Sequence, residues 1–233
     1  MARAAEPSPP ASALVRHAWA GRIAAEYRSA AITQVVTLWL IQIGASPDLV
    51  RDGLRIVDDE LTHAELSREV WLAGGGESLP PLDRRSLGLA RSRAELEHDL
   101  VAAIAQIFCL GETVAVRLFS SLRRGTSVPV ARRALDRIVR DEVRHRDFGW
   151  LALEWLLQSP DADARRALVQ GALPGWLREL EQNYGDELEG GIAAVSDAER
   201  AWGVAPWREY ASILHQVHGR DYRPRFAKLG ITL

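Results

Sequence analysis

The stretch Asp59-Glu60-Leu61-Thr62-His63, set beside its echo Asp141-Glu142-Val143-Arg144-His145, decides how this chain folds. In each copy a glutamate and a histidine stand three residues apart. That separation puts both on one face of an α-helix and on opposite faces of a β-strand. An aspartate directly precedes each glutamate, four residues before the histidine, and so lies near the same face. The surroundings are apolar at helical spacing: Ile56, Val57 and Ala64 around the first copy, Leu135, Ile138 and Val139 before the second. These are charges set into buried-type faces, not the charges of a solvated helix.

Working outward, Glu26 precedes Glu60 by 34 residues and Glu112 precedes Glu142 by 30. Glu26 lies near Ile23, Ala30 and Thr33; Glu112 lies among Phe108, Cys109, Ala115, Val116 and Phe119. The chain therefore reads Glu, DExxH, Glu, DExxH, with one group per helix. Its 17 Glu and 6 His would give about half of one ExxH by chance, yet three occur. The third, Glu95 to His98, lies roughly 20–25 Å along its helix from Glu112 and lacks the preceding aspartate, so it reads as a solvated face.

The helices that carry these groups follow from breakers and caps. Helix 1 is expected over about Ala11–Ile43, ending at Gly44. Ser46 and Pro47 suit the cap and first position of helix 2, which runs to Ala73 before Gly74-Gly75-Gly76. Helix 3 is expected over about Arg93–Arg123 and helix 4 over Val128–Gln158. A fifth, to Asn183, carries Pro174 and is expected to kink or break there. A sixth opens at Pro206 and runs towards His218, and Tyr222–Leu233 reads as an extended or loosely ordered arm packing by its apolar residues. Short loops make helices 1 and 2, and 3 and 4, antiparallel pairs. The Gly- and Pro-rich connection over residues 74–92 can extend to roughly 60 Å, longer than the roughly 40 Å of a 27-residue helix, so it can cross the whole bundle. The expected organisation is a disordered arm over 1–10, a bundle over 11–158, and further C-terminal helices and a tail over 159–233 packing on it.

Four carboxylates converging in a bundle core cannot all stay ionised without balancing charge. Two divalent cations supply it, and a mixed carboxylate and imidazole set suits iron or manganese better than zinc or copper. The candidate ligands are Glu26, Glu60, His63, Glu112, Glu142 and His145. Asp59 and Asp141 are placed behind them, as partners for the second N–H of each histidine; which aspartate meets which histidine is not legible. The same ligand set is the general description of di-iron carboxylate bundles.

In this pattern the sequence resembles the ferritin-like non-haem di-iron oxygenases and oxidases. Their relatives include the methane monooxygenase hydroxylase, the ribonucleotide reductase small subunit and the acyl-carrier-protein desaturases. The resemblance covers about residues 11–158. It implies an all-α, ferritin-like four-helix bundle with a long crossover between helices 2 and 3. It also implies two iron ions, with Mn/Fe as the alternative pair, and O2 as co-substrate. The function expected by resemblance is an O2-dependent oxidoreductase of hydroxylase or monooxygenase type acting on a small organic substrate. The alternatives are an aldehyde-deformylating oxygenase-like enzyme and a ferroxidase or iron-handling protein. An arylamine N-oxygenase would call for a further histidine ligand that has no candidate.

Departures narrow the family. Ser67 and Gly149 stand one turn after the motif histidines, which leaves no tyrosine for a radical. Cys109 is the only cysteine, so there is no internal disulfide and no rubredoxin-type centre. The chain carries no flavin or iron–sulfur motif, so an external electron donor, a ferredoxin or flavin reductase, is expected. Ser29, Ala30, Thr33, Ala64, Ser67 and Gly149 either leave room for O2 and an organic molecule or mark close helix contacts. Phe108 and Phe119 read as core or as a channel lining, and Cys109 as a small core residue. Arg144 and Arg146 are expected to pair with acids on neighbouring helices, with a substrate carboxylate as the lesser reading. His17, His215 and His218 lack a carboxylate at ligand spacing.

Composition bounds the rest. A formal net charge of -2 offers no basic field for nucleic acid. The N-terminus lacks the apolar run of a secretory signal. No stretch reads as long and apolar enough to span a membrane, the nearest being Val35–Ile43. A cytoplasmic protein, with a homodimer left open as its assembly, is the expectation.

Overall fold

The computed structural model describes residues 9–79, 81–183 and 194–233. Every regular element among them is helical. They are α1 (Ala13–Gln42), α2 (Pro47–Ala73), a 3-10 turn (Arg84–Leu87), α3 (Leu96–Ala103), a π-helical segment π1 (Ile104–Glu112) and α4 (Thr113–Gly125). Then come α5 (Pro129–Leu156), α6 (Ala162–Asn183), α7 (Asp197–Ala201), α8 (Trp207–Val217), a second π segment π2 (His218–Tyr222) and α9 (Arg223–Lys228). α3, π1 and α4 join end to end into one rod, Leu96–Gly125.

Local chemistry sets the ends. The Ser12 and Ser46 hydroxyls accept from the amides of Val15 and Leu49, and Pro47 fills the first turn of α2. Gly44, at φ 72°, makes the turn between α1 and α2, a conformation that costs a side-chain-bearing residue dearly. Ser196 and Glu199 form a reciprocal capping box on α7, and Glu199 also accepts from the Ser12 hydroxyl at 2.6 Å, which ties α7 to the start of α1.

Four rods pack around one another: α1 on α2, α2 on α5, α5 on Leu96–Gly125, and that rod back onto α1. Contacts fix the directions. Arg16 reaches the Gly74 carbonyl while Thr37 packs on Gly53, so α1 and α2 are antiparallel. Thr113 accepts from the Trp150 indole and Arg123 meets Asp136, so the third rod and α5 are antiparallel. His63 faces Asp141 and Asp59 faces Arg144, so α2 and α5 are antiparallel too. It follows that α2 and the third rod run the same way, and the connection between them must travel the length of the bundle. Its 3-10 turn lies against α1.

The core is divided. One apolar cluster gathers Val36, Leu40, Ile56, Leu100, Ile104, Phe108, Phe148 and Leu153; another gathers Val15, Trp19, Val70, Leu118, Leu122, Leu135 and Trp202. Along α1, α2 and α5 the motif residues fall between the stretches that feed the two clusters, and on the third rod Glu112 stands near the border, between Leu110 and Val114 of the first cluster and ahead of Leu118 of the second. A polar layer therefore crosses the middle of the bundle.

The C-terminal helices cover one side. α6 packs on α3 and π1, α8 on α4, and Trp176, Leu214, Tyr222, Phe226 and Ile231 join the first cluster. The expected extended arm from Tyr222 is corrected here. The segment is π2 followed by α9, with Pro224 in the first turn, where its missing N–H costs nothing. Tyr222 donates to the Leu110 carbonyl at 2.7 Å. α6 also runs through Pro174 as one helix instead of breaking there. The longest apolar stretch is likewise corrected: Leu96–Gly125 is long and apolar enough to cross a membrane, and 78% of its most apolar window is buried against the other helices. Most of the N-terminal arm, and the acidic stretch beyond Asn183, lie outside the described residues.

Candidate metal centre

Two groups of buried side chains meet at mid-bundle and could each hold a metal ion: Glu26, Glu60, His63 and Glu142, and Glu60, Glu112, Glu142 and His145. Within each group one ligand atom per residue lies within 4.8 Å of all the others. Glu60 and Glu142 belong to both. The glutamates of the two ExxH motifs thus occupy the shared position, while Glu26 and Glu112 each stand on one side. All six side chains predicted from the sequence converge, one from α1, two from α2, one from the last residue of π1 and two from α5. Glu95 and His98 belong to neither group.

Four atoms test whether the residues suit a cation. Glu60 Oε2, His63 Nδ1, Glu142 Oε2 and His145 Nδ1 are sealed from solvent and have no hydrogen-bond partner. Each imidazole Nδ1 has two carboxylate oxygens at 3.3–3.7 Å, long and poorly directed contacts rather than bonds. Buried polar atoms left this way are costly, and a cation lying between them would satisfy all four. Charge points the same way. Burial pushes the Glu26 and Glu112 carboxyls well above the usual carboxylate range, and the neighbouring Glu60 and Glu142 push them further. Burial would raise Glu60 as well, yet the imidazoles of His145 and His63 hold it below the ordinary range. Burial alone would lower His63 and His145, and the surrounding carboxylates raise both instead. Protons and divalent cations therefore compete for one donor set.

Behind the cluster the pairing is crossed. His63 Nε2 lies 3.3 Å from Asp141 and His145 Nε2 lies 3.3 Å from Asp59, so each histidine leans on the aspartate of the other motif. The aspartates are joined by arginines. Arg144 donates to Asp59 at 2.7 Å and to Asp141 at 3.0 Å; Arg137 donates to Asp141 and, at 3.1 Å, to Asp59; Arg140 reaches Asp141 at 3.3 Å. This fixes the imidazole orientation with Nε2 outward and Nδ1 towards the carboxylates. Sequence reading missed Arg137, although its place four residues before Asp141 was a usable signal. Among the described residues Arg146 pairs with the adjacent Asp147 and with no acid on a neighbouring helix.

A cleft of about 820 Å³ opens onto Glu26, Glu60, Glu112 and Glu142. Its walls are mainly apolar, with Ile32, Ile107, Leu110, Ala115, Phe119 and Leu180 among them. Ser29, at its inner end, donates to Glu60 at 2.9 Å. Of the other small residues, Gly149 is a close helix contact: an added Cβ would stand 2.5 Å from Phe108 Cβ. Ala64 and Ser67 are buried and do not line the cleft. Phe108 is core, packed edge-on to Phe148, whereas Phe119 lines the wall. Cys109 is fully buried, which raises its thiol pKa and keeps it neutral.

No family model, curated protein or solved structure matches this chain.

Proposed function

We propose that the chain is a ferritin-like non-haem di-iron protein, and that it acts as an O2-dependent oxidoreductase on a small organic substrate. One observation carries the reading: two four-residue groups share Glu60 and Glu142 and face an apolar cleft. Carboxylate-rich donors with one imidazole per position match iron, with a manganese–iron pair as the alternative. Bound there, the metal pair would supply the electrons and the open coordination that O2 reduction needs.

The chain's own residues do the rest. Glu60 and Glu142 span the two positions, and Glu26 and Glu112 complete the charge balance on either side. His63 and His145 are held in one orientation by Asp141 and Asp59. Ser29 restrains the Glu60 carboxylate. The apolar walls exclude water from the reacting face and hold an organic molecule against it. Turnover requires an external electron donor. Within this class the wall chemistry suits hydroxylation and aldehyde deformylation equally. The mainly apolar walls favour an organic substrate over ferrous ions, although Glu179 and Gln106 stand in the same cleft and keep a ferroxidase as the alternative.

Metal analysis and oxygen uptake test the proposal together. The protein reconstituted anaerobically with ferrous iron should retain about two irons per chain and consume O2 with a transient visible absorption. Retention of no iron sinks the metal-centre reading. Oxidation of iron far beyond that stoichiometry, with mineral formation, replaces the oxygenase with iron storage.

A further inference from the structure

The cleft that serves the proposed centre is not uniformly apolar. Arg22, one turn before Glu26 on α1, lies in its wall. The guanidinium is fixed in place: it stacks over Trp19 at 4.2 Å from the ring centroid, and Nη2 donates to the Gly203 carbonyl at 2.6 Å. Nη1 is closed off from bulk solvent and has no hydrogen-bond partner. Arg22 forms no ion pair among the described residues, unlike Arg137, Arg144 and Arg200. Tyr210 lies beside it on the same wall as a polar neighbour of the guanidinium, and the Glu26 carboxyl one turn along α1 also acts on its charge; neither occupies Nη1. Burial draws the Arg22 pKa below its ordinary value, but a guanidinium keeps its proton across the range in which proteins fold.

A fixed cation with an unsatisfied donor in an apolar wall is a recognition element for an anion, and a planar one by preference. Its position gives a direction. Four residues of helix separate it from Glu26, about 6 Å along the axis. An anionic group held at Arg22 would lie one turn of α1 from Glu26, whose buried carboxyl is held towards its neutral form, and the rest of the molecule would extend over Ile107, Leu110 and Ala115 towards the cluster. Gly111 widens this path, because a Cβ there would meet nothing nearer than the Gln106 carbonyl at 3.9 Å.

We propose that the substrate of this cleft is an apolar organic acid, its carboxylate held by Arg22 and its hydrocarbon body lying against π1. The proposal names the substrate class for the centre described above and rests on that reading for the reaction, though not for the binding.

Octanoate and 4-phenylbutyrate, each compared with the alcohol of the same skeleton, are suitable probes. Binding to the full chain is followed by tryptophan fluorescence, since Trp19 underlies Arg22 and Trp176 and Trp207 line the cleft, and is checked by calorimetry. At least one acid should bind at least about tenfold more tightly than its alcohol, the discrimination expected of a charge-assisted hydrogen bond. Arg22→Met should bring that ratio close to one, and Arg22→Lys should keep part of it. Gly111→Leu should weaken acid and alcohol alike by filling the path, which separates binding in the cleft from adsorption elsewhere. Equal affinity of acids and alcohols, an unchanged ratio in Arg22→Met, or no binding of either acid overturns the proposal. Iron content is measured on the same samples. Arg22→Met should retain the wild-type value, so loss of acid selectivity with iron retained strikes the headgroup site alone. Absence of iron from the wild type, with acid selectivity intact, strikes the metal centre alone.

Discussion

At the scale of single residues, the crossed pairing of His63 with Asp141 and His145 with Asp59 makes the two motifs depend on each other. Asp59→Asn keeps the volume and removes the charge that orients His145 and pairs with Arg144. Metal affinity should fall about 10–100-fold, the usual effect of losing such a partner, with helicity unchanged; a competitive chelator titration and circular dichroism measure the two. Glu112→Ala and His145→Ala should instead lower the number of irons retained per chain, and full retention in both would remove these residues from the ligand set. Gly149 gives a purely steric test. Any side chain there meets Phe108, so Gly149→Val should cost about 1–3 kcal/mol in urea unfolding. Much of this scale was legible beforehand. The i, i+3 spacing put Glu60 with His63 and Glu142 with His145 because a helix has only one way to bring such residues together. The crossed aspartates were not legible, since they depend on the register of α2 against α5. Nor was Arg22: arginine on a helix is ordinarily solvated, and nothing local marks the one that turns into a cleft.

At the scale of elements, the third rod changes its winding. π1 occupies Ile104–Glu112 and ends on the residue that enters the candidate metal centre. A π turn takes in extra chain per turn and changes the angle at which the following residue leaves the axis, which is why such segments gather at functional sites. Hydropathy cannot report this, because the apolar pattern of 104–112 suits either winding. The rod's start is set by Asp99, which the sequence reading did not single out. It accepts from Arg91 Nε at 2.9 Å, from the Ser92 hydroxyl at 2.9 Å and from Arg93 at 3.1 Å, and so fastens the crossover to α3. Burial alone would raise its pKa; these donors hold it below the usual carboxylate range. A folded-state pKa below the unfolded value means stability that is present above about pH 4 and lost as the pH falls further. Asp99→Ala should therefore cost about 1–3 kcal/mol at pH 7. Denaturation curves of mutant and wild type should converge as the pH drops below about 4. A constant difference down to pH 3 would show that the carboxylate charge is not what matters. The C-terminal arm illustrates the opposite misreading. Gly219, Pro224 and Gly230 look like breakers in sequence, yet Pro224 sits where a helix tolerates it and Gly230, at φ 75°, follows its end.

At the scale of the molecule, the four rods, their two antiparallel pairs and the crossover were legible from loop lengths and breakers. That helices of the C-terminal part would pack on the bundle was expected too, but not where they dock, because those contacts are made by residues distant in sequence, such as Tyr222 with Leu110. The most consequential arrangement is the charged layer between the two apolar clusters. Each cluster is assembled from all four rods, and the layer between them carries four buried glutamates whose charge needs cations or protons to balance it. Stripping bound metal should lower the melting temperature by about 5–10 °C when the ion was present near one hundred times its dissociation constant.

The bundle thus contains a natural plane of cleavage for cooperativity. With the ions chelated, amide hydrogen exchange should resolve two groups of slow protons, those near Leu40 and Leu153 and those near Trp19 and Leu135, each with its own opening free energy. With the ions restored the two should merge into one global opening, so that the metal acts as the rivet between two folding units. A single opening energy in both states would show that the halves are already one.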